Sequence, residues 1–235
     1  MIKAGRILAA ALALAAFQAT VAPARPAPAA SARVNWNRTF AATGAGGFRV
    51  GNPSAKFAIV EYGSLTCPHC RHFAETAVKP LLDQYVRSGK ASYEFRPFIL
   101  NGTDLAATLV ARCNGPAPFF AIADQLYATQ PTWSVKVSEL SQAEQDKLNA
   151  LPDDQMRLGI AKVTGLYAIA ASHGISQARA QQCLKDARMA DRLMAIMKRG
   201  EDLGVTGTPS FFINGKRAPV YDWATLETFL KGAGG

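Results

Sequence analysis

The stretch Phe57-Ala58-Ile59-Val60-Glu61-Tyr62-Gly63-Ser64-Leu65-Thr66-Cys67-Pro68-His69-Cys70 decides the fold. Its first six residues form a short, mostly apolar run flanked by turn residues, which reads as a buried strand. From Pro68 to about Arg87 the apolar residues Phe73, Ala77, Leu81 and Tyr85 recur at helical spacing. Pro80 should kink or divide that helix, and Ser88-Gly89 ends it. Ser92 to Leu100 alternates and is rich in aromatics, so it reads as a second strand. Strand, helix and strand in this short compass make a βαβ unit, whose two strands are expected to be parallel.

Outward from this unit the pattern changes. Between Thr103 and about Leu203, Ala, Leu, Met, Gln and Lys dominate, with breaks at Gly115-Pro116, Pro131, Pro152 and Gly174. Several helices are expected there. Pro209 to Ile213 reads as a strand, and Asn214-Gly215 as a hairpin turn, since both residues tolerate positive φ. A partner strand over Lys216 to Val220 follows, and Asp222 caps a last helix over Trp223 to Leu230. The order is β-α-β, a helical block, then β-β-α: an α/β chain around one central sheet.

Cys67 and Cys70 are two of only four cysteines. Disulfide exchange needs one thiol that ionises at working pH and a second close enough to resolve a mixed disulfide. A Cys-x-x-Cys pair at a helix start supplies both. Cys67 meets the free N–H groups and positive end of the helix dipole. Pro68 suits the first turn because its missing N–H would have no intrahelical partner. Cys70 lies a turn further in and fits the resolving role. A cationic or donating His69 imidazole would favour the Cys67 thiolate further, which stabilises the reduced form and makes the disulfide more oxidising. The alternatives are half of a zinc site and a purely structural Cys67–Cys70 bridge. Zinc asks for about four ligands, whereas Cys113 and Cys183 form no second close pair and the chain has three histidines. No metal or cofactor is therefore expected. His72 reads as a surface residue, His173-Gly174 as a helix end, and Met189, Met194 and Met197 as core or groove filling. The place of Trp133 stays open.

From Phe57 onward the chain resembles the DsbA-like family of thioredoxin-fold oxidoreductases, with a helical insertion between the two halves of the fold. Cys67-Pro68-His69-Cys70, the preceding Val60-Glu61-Tyr62, the helix from His72 through Lys90, and Gly204-Val205-Thr206-Gly207-Thr208-Pro209-Ser210-Phe211-Phe212 carry the resemblance. It implies a cis Pro209 facing the cysteines, with Gly207 and Thr208 offering backbone to a substrate strand that also meets Pro68. It implies that Glu61 relays a proton to or from Cys70. It also suggests a second disulfide, Cys113–Cys183, with two buried free thiols as the alternative. Implied partners are unfolded or folding exported proteins and a quinone-linked membrane reoxidase of the DsbB type or an analogue. The best-known oxidases of the family often carry valine where Thr208 stands, so a reductase or isomerase is a second reading. A chaperone-like binding module is a third.

The other boundaries follow from composition. Lys3 and Arg6 precede the apolar run Ile7 to Phe17, which is shorter than the ~20 residues of a membrane span and has the form of an export leader. Ala22-Pro23-Ala24 and Ala30-Ser31-Ala32 both offer cleavage sites. Residues 1–24 are expected as a signal peptide, 25–47 as a flexible lead-in, 48–102 and 204–235 as the two halves of the sheet domain, and 103–203 as the insertion. Such a leader implies the periplasm, where disulfides persist. The net charge of +9 includes Lys3, Arg6, Arg25 and Arg33. No basic run with interleaved aromatics supports nucleic-acid binding, and a monomer is expected.

Overall fold

The computed structural model describes residues 34–232. The leader, both cleavage sites and most of the Ala/Pro-rich stretch lie outside them. Six strands form one sheet in the order β1-β2-β4-β3-β5-β6. They are β1 (Phe40–Ala42), β2 (Phe48–Gly51), β3 (Phe57–Gly63), β4 (Ala91–Pro97), β5 (Ser210–Ile213) and β6 (Lys216–Ala218). β3 pairs in parallel with β4, from Phe57↔Ala91 to Gly63↔Pro97, and antiparallel with β5. β4 ends at Pro97 rather than Leu100, since proline cannot donate to the ladder. β6 stops at Ala218, before Pro219. Asn214 and Gly215 turn the β5–β6 hairpin with φ of 51° and 78°.

The sheet begins earlier than the composition suggests. A 3-10 turn at Trp36–Arg38 leads into β1, which pairs with β2, and β2 pairs with β4 through Phe48↔Phe95. Residues from Trp36 to Gly47 are thus hydrogen-bonded into the fold where a flexible lead-in was expected. The glycines that mimic a linker serve a tight approach. Gly46 sits at φ +91°, and a Cβ there would come within 2.6 Å of Ile196.

The motif helix runs as α1 (Pro68–Phe73), a π-helical stretch Ala74–Val78, α2 (Lys79–Leu81) and a second π-helical stretch Leu82–Val86. Its backbone stays in the right-handed helical region across these junctions. Pro80 therefore divides the helix by hydrogen-bond register. The insertion comprises α3 (Gly102–Ala111), α4 (Pro116–Ala128), α5 (Gln130–Trp133), α6 (Gln142–Asn149), α7 (Asp153–Val163), α8 (Leu166–Ser172), α9 (Gln177–Lys185) and α10 (Ala187–Asp202). Helix α11 (Trp223–Gly232) is capped by Asp222, whose Oδ1 accepts from Thr225 N at 2.9 Å.

Two apolar clusters sandwich the sheet. In one, Phe57, Ile59, Phe211 and Ile213 meet Phe73, Ala77 and Leu81 of the motif helix and Leu226 and Leu230 of α11. In the other, Tyr62, Phe95 and Phe212 pack with Leu109, Phe119, Leu126, Leu193 and Ile196 of the insertion. Insertion and sheet thus share one continuous core, and its edge carries Cys67 and Cys70.

Candidate active site

Cys67 is the N-cap of α1, with extended backbone at φ −81° and ψ 123°, and Pro68 takes the first helical position. Pro68 and His69 are exposed, while Cys67 is 6% and Cys70 0% exposed. Both cysteines are thiols here. Across from them, the Thr208-Pro209 bond is cis. The Gly207 carbonyl accepts from Ser210 Oγ at 2.7 Å, which closes the turn ahead of β5.

The two sulfurs titrate in opposite directions. Cys67 is lowered to about 5. The Cys70 thiol, donating to the Cys67 sulfur, contributes most, burial opposes it, and the Thr208 side chain and the backbone N–H groups of Cys70 and His69 add to the lowering. Cys70 is raised well above an ordinary thiol, first by burial, then by its bond to Cys67 and the nearby Glu61 and Cys67 charges. Thr208 acts in two senses. Its carbonyl accepts from the Cys67 thiol at 3.2 Å, favouring S–H, while its side chain favours the thiolate. His69 contributes through its main-chain N–H, and its exposed ring is not among the groups that lower Cys67.

Glu61 lies on the face of β3 that carries Phe57 and Ile59, and it is 2% exposed. Burial raises it to about 8, against the lowering effect of a hydrogen bond from the Tyr93 hydroxyl. The Cys67 charge raises it further, and a hydrogen bond with Cys70 lowers it. A carboxyl in contact with the inner thiol and half-protonated near pH 8 is equipped to exchange a proton with it.

Four partners of this site have no mark in the sequence. Tyr93 reads only as an alternating strand aromatic. Asp104, Tyr127 and Gln130 come from the insertion and bond the segment before Cys67. Asp104 Oδ1 accepts from Leu65 N at 2.9 Å, Tyr127 donates to Ser64 O at 3.1 Å, and Gln130 Nε2 donates to Leu65 O and Cys67 O at 2.8 and 3.0 Å. Trp133 is buried in the insertion, donating to Leu126 O at 2.7 Å. Cys113 and Cys183 form a disulfide within the insertion. Among the described residues no cluster of three or more His, Cys, Asp or Glu is placed to hold a metal.

A cavity of about 480 Å³ lies between the motif helix and α4, with Tyr93 and Tyr127 in its lining, and neither reactive cysteine borders it. A cleft of about 280 Å³ runs beside Pro209, between Ser210, Arg217 and Tyr221. Neither reactive cysteine lines that cleft, which meets the site at Pro209.

A family model described as thioredoxin matches residues 43–232. A Rickettsia bellii protein, provisionally named a protein-disulfide oxidoreductase, is 30% identical over 77% of this chain, which spans 62% of that relative. The crystal structure of a protein-disulfide isomerase from Novosphingobium aromaticivorans is 29% identical, covers 79% of this chain and 95% of its own, and superposes with a TM-score of 0.74. Wolbachia pipientis alpha-DsbA1, at 23% identity over 78% of this chain and 88% of its own, shares the fold with a TM-score of 0.63.

Proposed function

The chain belongs to the thioredoxin family whose model spans residues 43–232, and from that premise we propose that it is an exported protein-disulfide oxidoreductase of the DsbA-like kind, donating its Cys67–Cys70 disulfide to folding proteins. The observation that carries this reading is the asymmetry of the two sulfurs. The outer thiol is lowered to about 5 and the inner one is raised. A lowered outer thiol stabilises the dithiol form, so the disulfide is a strong electron acceptor.

A substrate thiolate attacks the Cys67 sulfur of the disulfide. The Cys67–Cys70 bond breaks, and its electron pair leaves on Cys70, which takes a proton from Glu61. The substrate's second thiolate then attacks its own sulfur in the mixed disulfide, and Cys67 leaves as a thiolate. The substrate is oxidised by two electrons and the Cys67/Cys70 pair is reduced by two. Gly207, Thr208 and Pro209 present backbone beside Cys67 for an extended substrate segment, and Pro68 borders the same face. His69 serves through its N–H. Turnover then requires reoxidation by a membrane partner, for which a quinone-linked reoxidase of the DsbB type fits the chemistry. The leader read in residues 1–24 supports a periplasmic location.

Thr208, and the likeness to the Novosphingobium protein-disulfide isomerase, favour a second reading in which the same centre shuffles disulfides. Equilibration with glutathione tests the proposal. A potential of about −120 to −180 mV supports a donor or shuffler, and about −270 mV makes the protein a reductase and ends the donor reading. Scrambled against reduced ribonuclease as substrate then separates shuffling from donation.

A further inference from the structure

Asp104 is a buried carboxylate that the exchange steps do not use. It stands near the start of α3 and is 0% exposed. An acidic residue at this position commonly caps its own helix. Here that work is done by Asn101, whose Oδ1 accepts from Asp104 N at 2.9 Å. The Asp104 carboxylate reaches elsewhere. Oδ1 accepts from Leu65 N at 2.9 Å, Oδ2 accepts from Leu100 N at 3.0 Å, and the Ser64 hydroxyl also bonds to it. A buried carboxylate is costly unless its lone pairs are taken up, and these partners take them up.

Leu65 is held from its other side as well. Gln130 Nε2 donates to Leu65 O at 2.8 Å and to Cys67 O at 3.0 Å. Gln130 is 4% exposed and opens α5, so both clamping side chains belong to the insertion, while the clamped backbone joins β3 to α1. The segment ends in Cys67, whose sulfur meets Thr208 O at 3.2 Å.

We infer that Asp104 and Gln130 are positioning residues for disulfide exchange: from the helical insertion they hold Leu65 and Cys67 so that the reactive sulfur meets its thiolate-stabilising donors. Those donors are the Cys70 thiol, the Thr208 side chain and the N–H groups of Cys70 and His69. They act on the reduced form and need Cys67 in place. In the oxidised form the disulfide bond itself fixes the sulfur. Loosening the clamp therefore weakens the reduced form more than the oxidised one.

The inference rests on the proposed redox role of this centre, and its test is a ratio that does not depend on the wild-type potential. A residue that stabilises both redox forms equally lowers the unfolding midpoint when replaced and leaves the redox equilibrium untouched, because the potential reads only the difference between the two forms. The glutathione equilibrium is measured for the wild type, Asp104→Asn and Gln130→Met, alongside urea unfolding of both redox forms. We expect each substitution to shift the equilibrium about fivefold toward the disulfide form, about 20 mV for a two-electron couple. An Asp104→Asn shift toward the dithiol form would overturn the inference, because removing a negative charge near Cys67 acts in that direction. Equilibria within twofold of the wild type in both variants would also overturn it, leaving a purely structural pair. Gln130→Met changes no charge and decides the sign on its own if Asp104→Asn does not fold. A reducing wild-type potential would withdraw the donor reading without touching these ratios.

Discussion

A single strand position sets a carboxyl against the core around it. Glu61 is raised to about 8 from an ordinary 4.5, chiefly by burial. A carboxyl whose folded pKa lies above its unfolded value favours folding fully below pH ~4.5, and that advantage is lost as the pH rises toward 8. At pH 7 the penalty relative to acid is on the order of 3 kcal/mol. Glu61→Gln keeps the shape and an oxygen to accept from Tyr93 but cannot ionise. The dithiol form of this variant should therefore be more stable than the wild type at pH 8 and equal to it near pH 4.5, by urea unfolding at both. A constant difference across that range would mean that Glu61 is already charged in the fold. The same variant should slow the step in which Cys70 becomes a thiol, with a flattened pH profile. Residue identity made this site partly legible: Cys67 and Cys70 declare themselves through spacing and type, and Glu61 through the resemblance of its segment to the DsbA-like family. Asp104 does not, because Asn-Gly-Thr-Asp reads as an ordinary helix start and its partner Leu65 lies 39 positions away.

At the scale of elements, legibility followed locality. β3, β4, the head of the motif helix and the Asn214-Gly215 hairpin are written in adjacent residues, and the structure forms them there. β1 is three residues long and draws its partners from β2, while β2 draws its own from β4. No local periodicity marks such strands, and the glycines between them imitate a linker. Packing between elements is equally silent in sequence. In α10, Gly200 lies against the sheet: a Cβ there would sit 2.9 Å from the Tyr62 ring and 3.2 Å from Phe98. Alanine in a helix gains about 1 kcal/mol over glycine, whereas overpacking a core contact costs about 1–3 kcal/mol. At these distances from two buried rings the contact wins, because neither ring has room to retreat. Gly200→Ala should thus lower stability by about 1 kcal/mol, read as a fall in the denaturation midpoint with an unchanged slope. A gain in stability would show that α10 can move off β3 freely.

For the whole molecule, the question is how the insertion is tied to the centre it serves. Helix α3 answers it with two ends of different character. Asp104 near its start is hydrogen-bonded to the segment before Cys67, and Cys113 just beyond its end is bonded to Cys183 on α9, 70 positions along the chain. Ten residues of helix separate the two ends by about 15 Å, so the disulfide braces the insertion far from the reactive sulfur. Closing a loop of that length restricts the unfolded chain by about 4 kcal/mol in the chain-entropy account. That contribution belongs to the unfolded state and is common to both redox forms of Cys67 and Cys70. The double variant Cys113→Ala/Cys183→Ala should accordingly lose about 2–4 kcal/mol of unfolding free energy in either redox form, while its glutathione equilibrium stays within about twofold of the wild type, under 10 mV. Opposite behaviour, a shifted equilibrium with little loss of stability, would mean that the brace acts through α3 on Cys67. The insertion would then tune the centre from both ends of that helix, not from the end that bonds it.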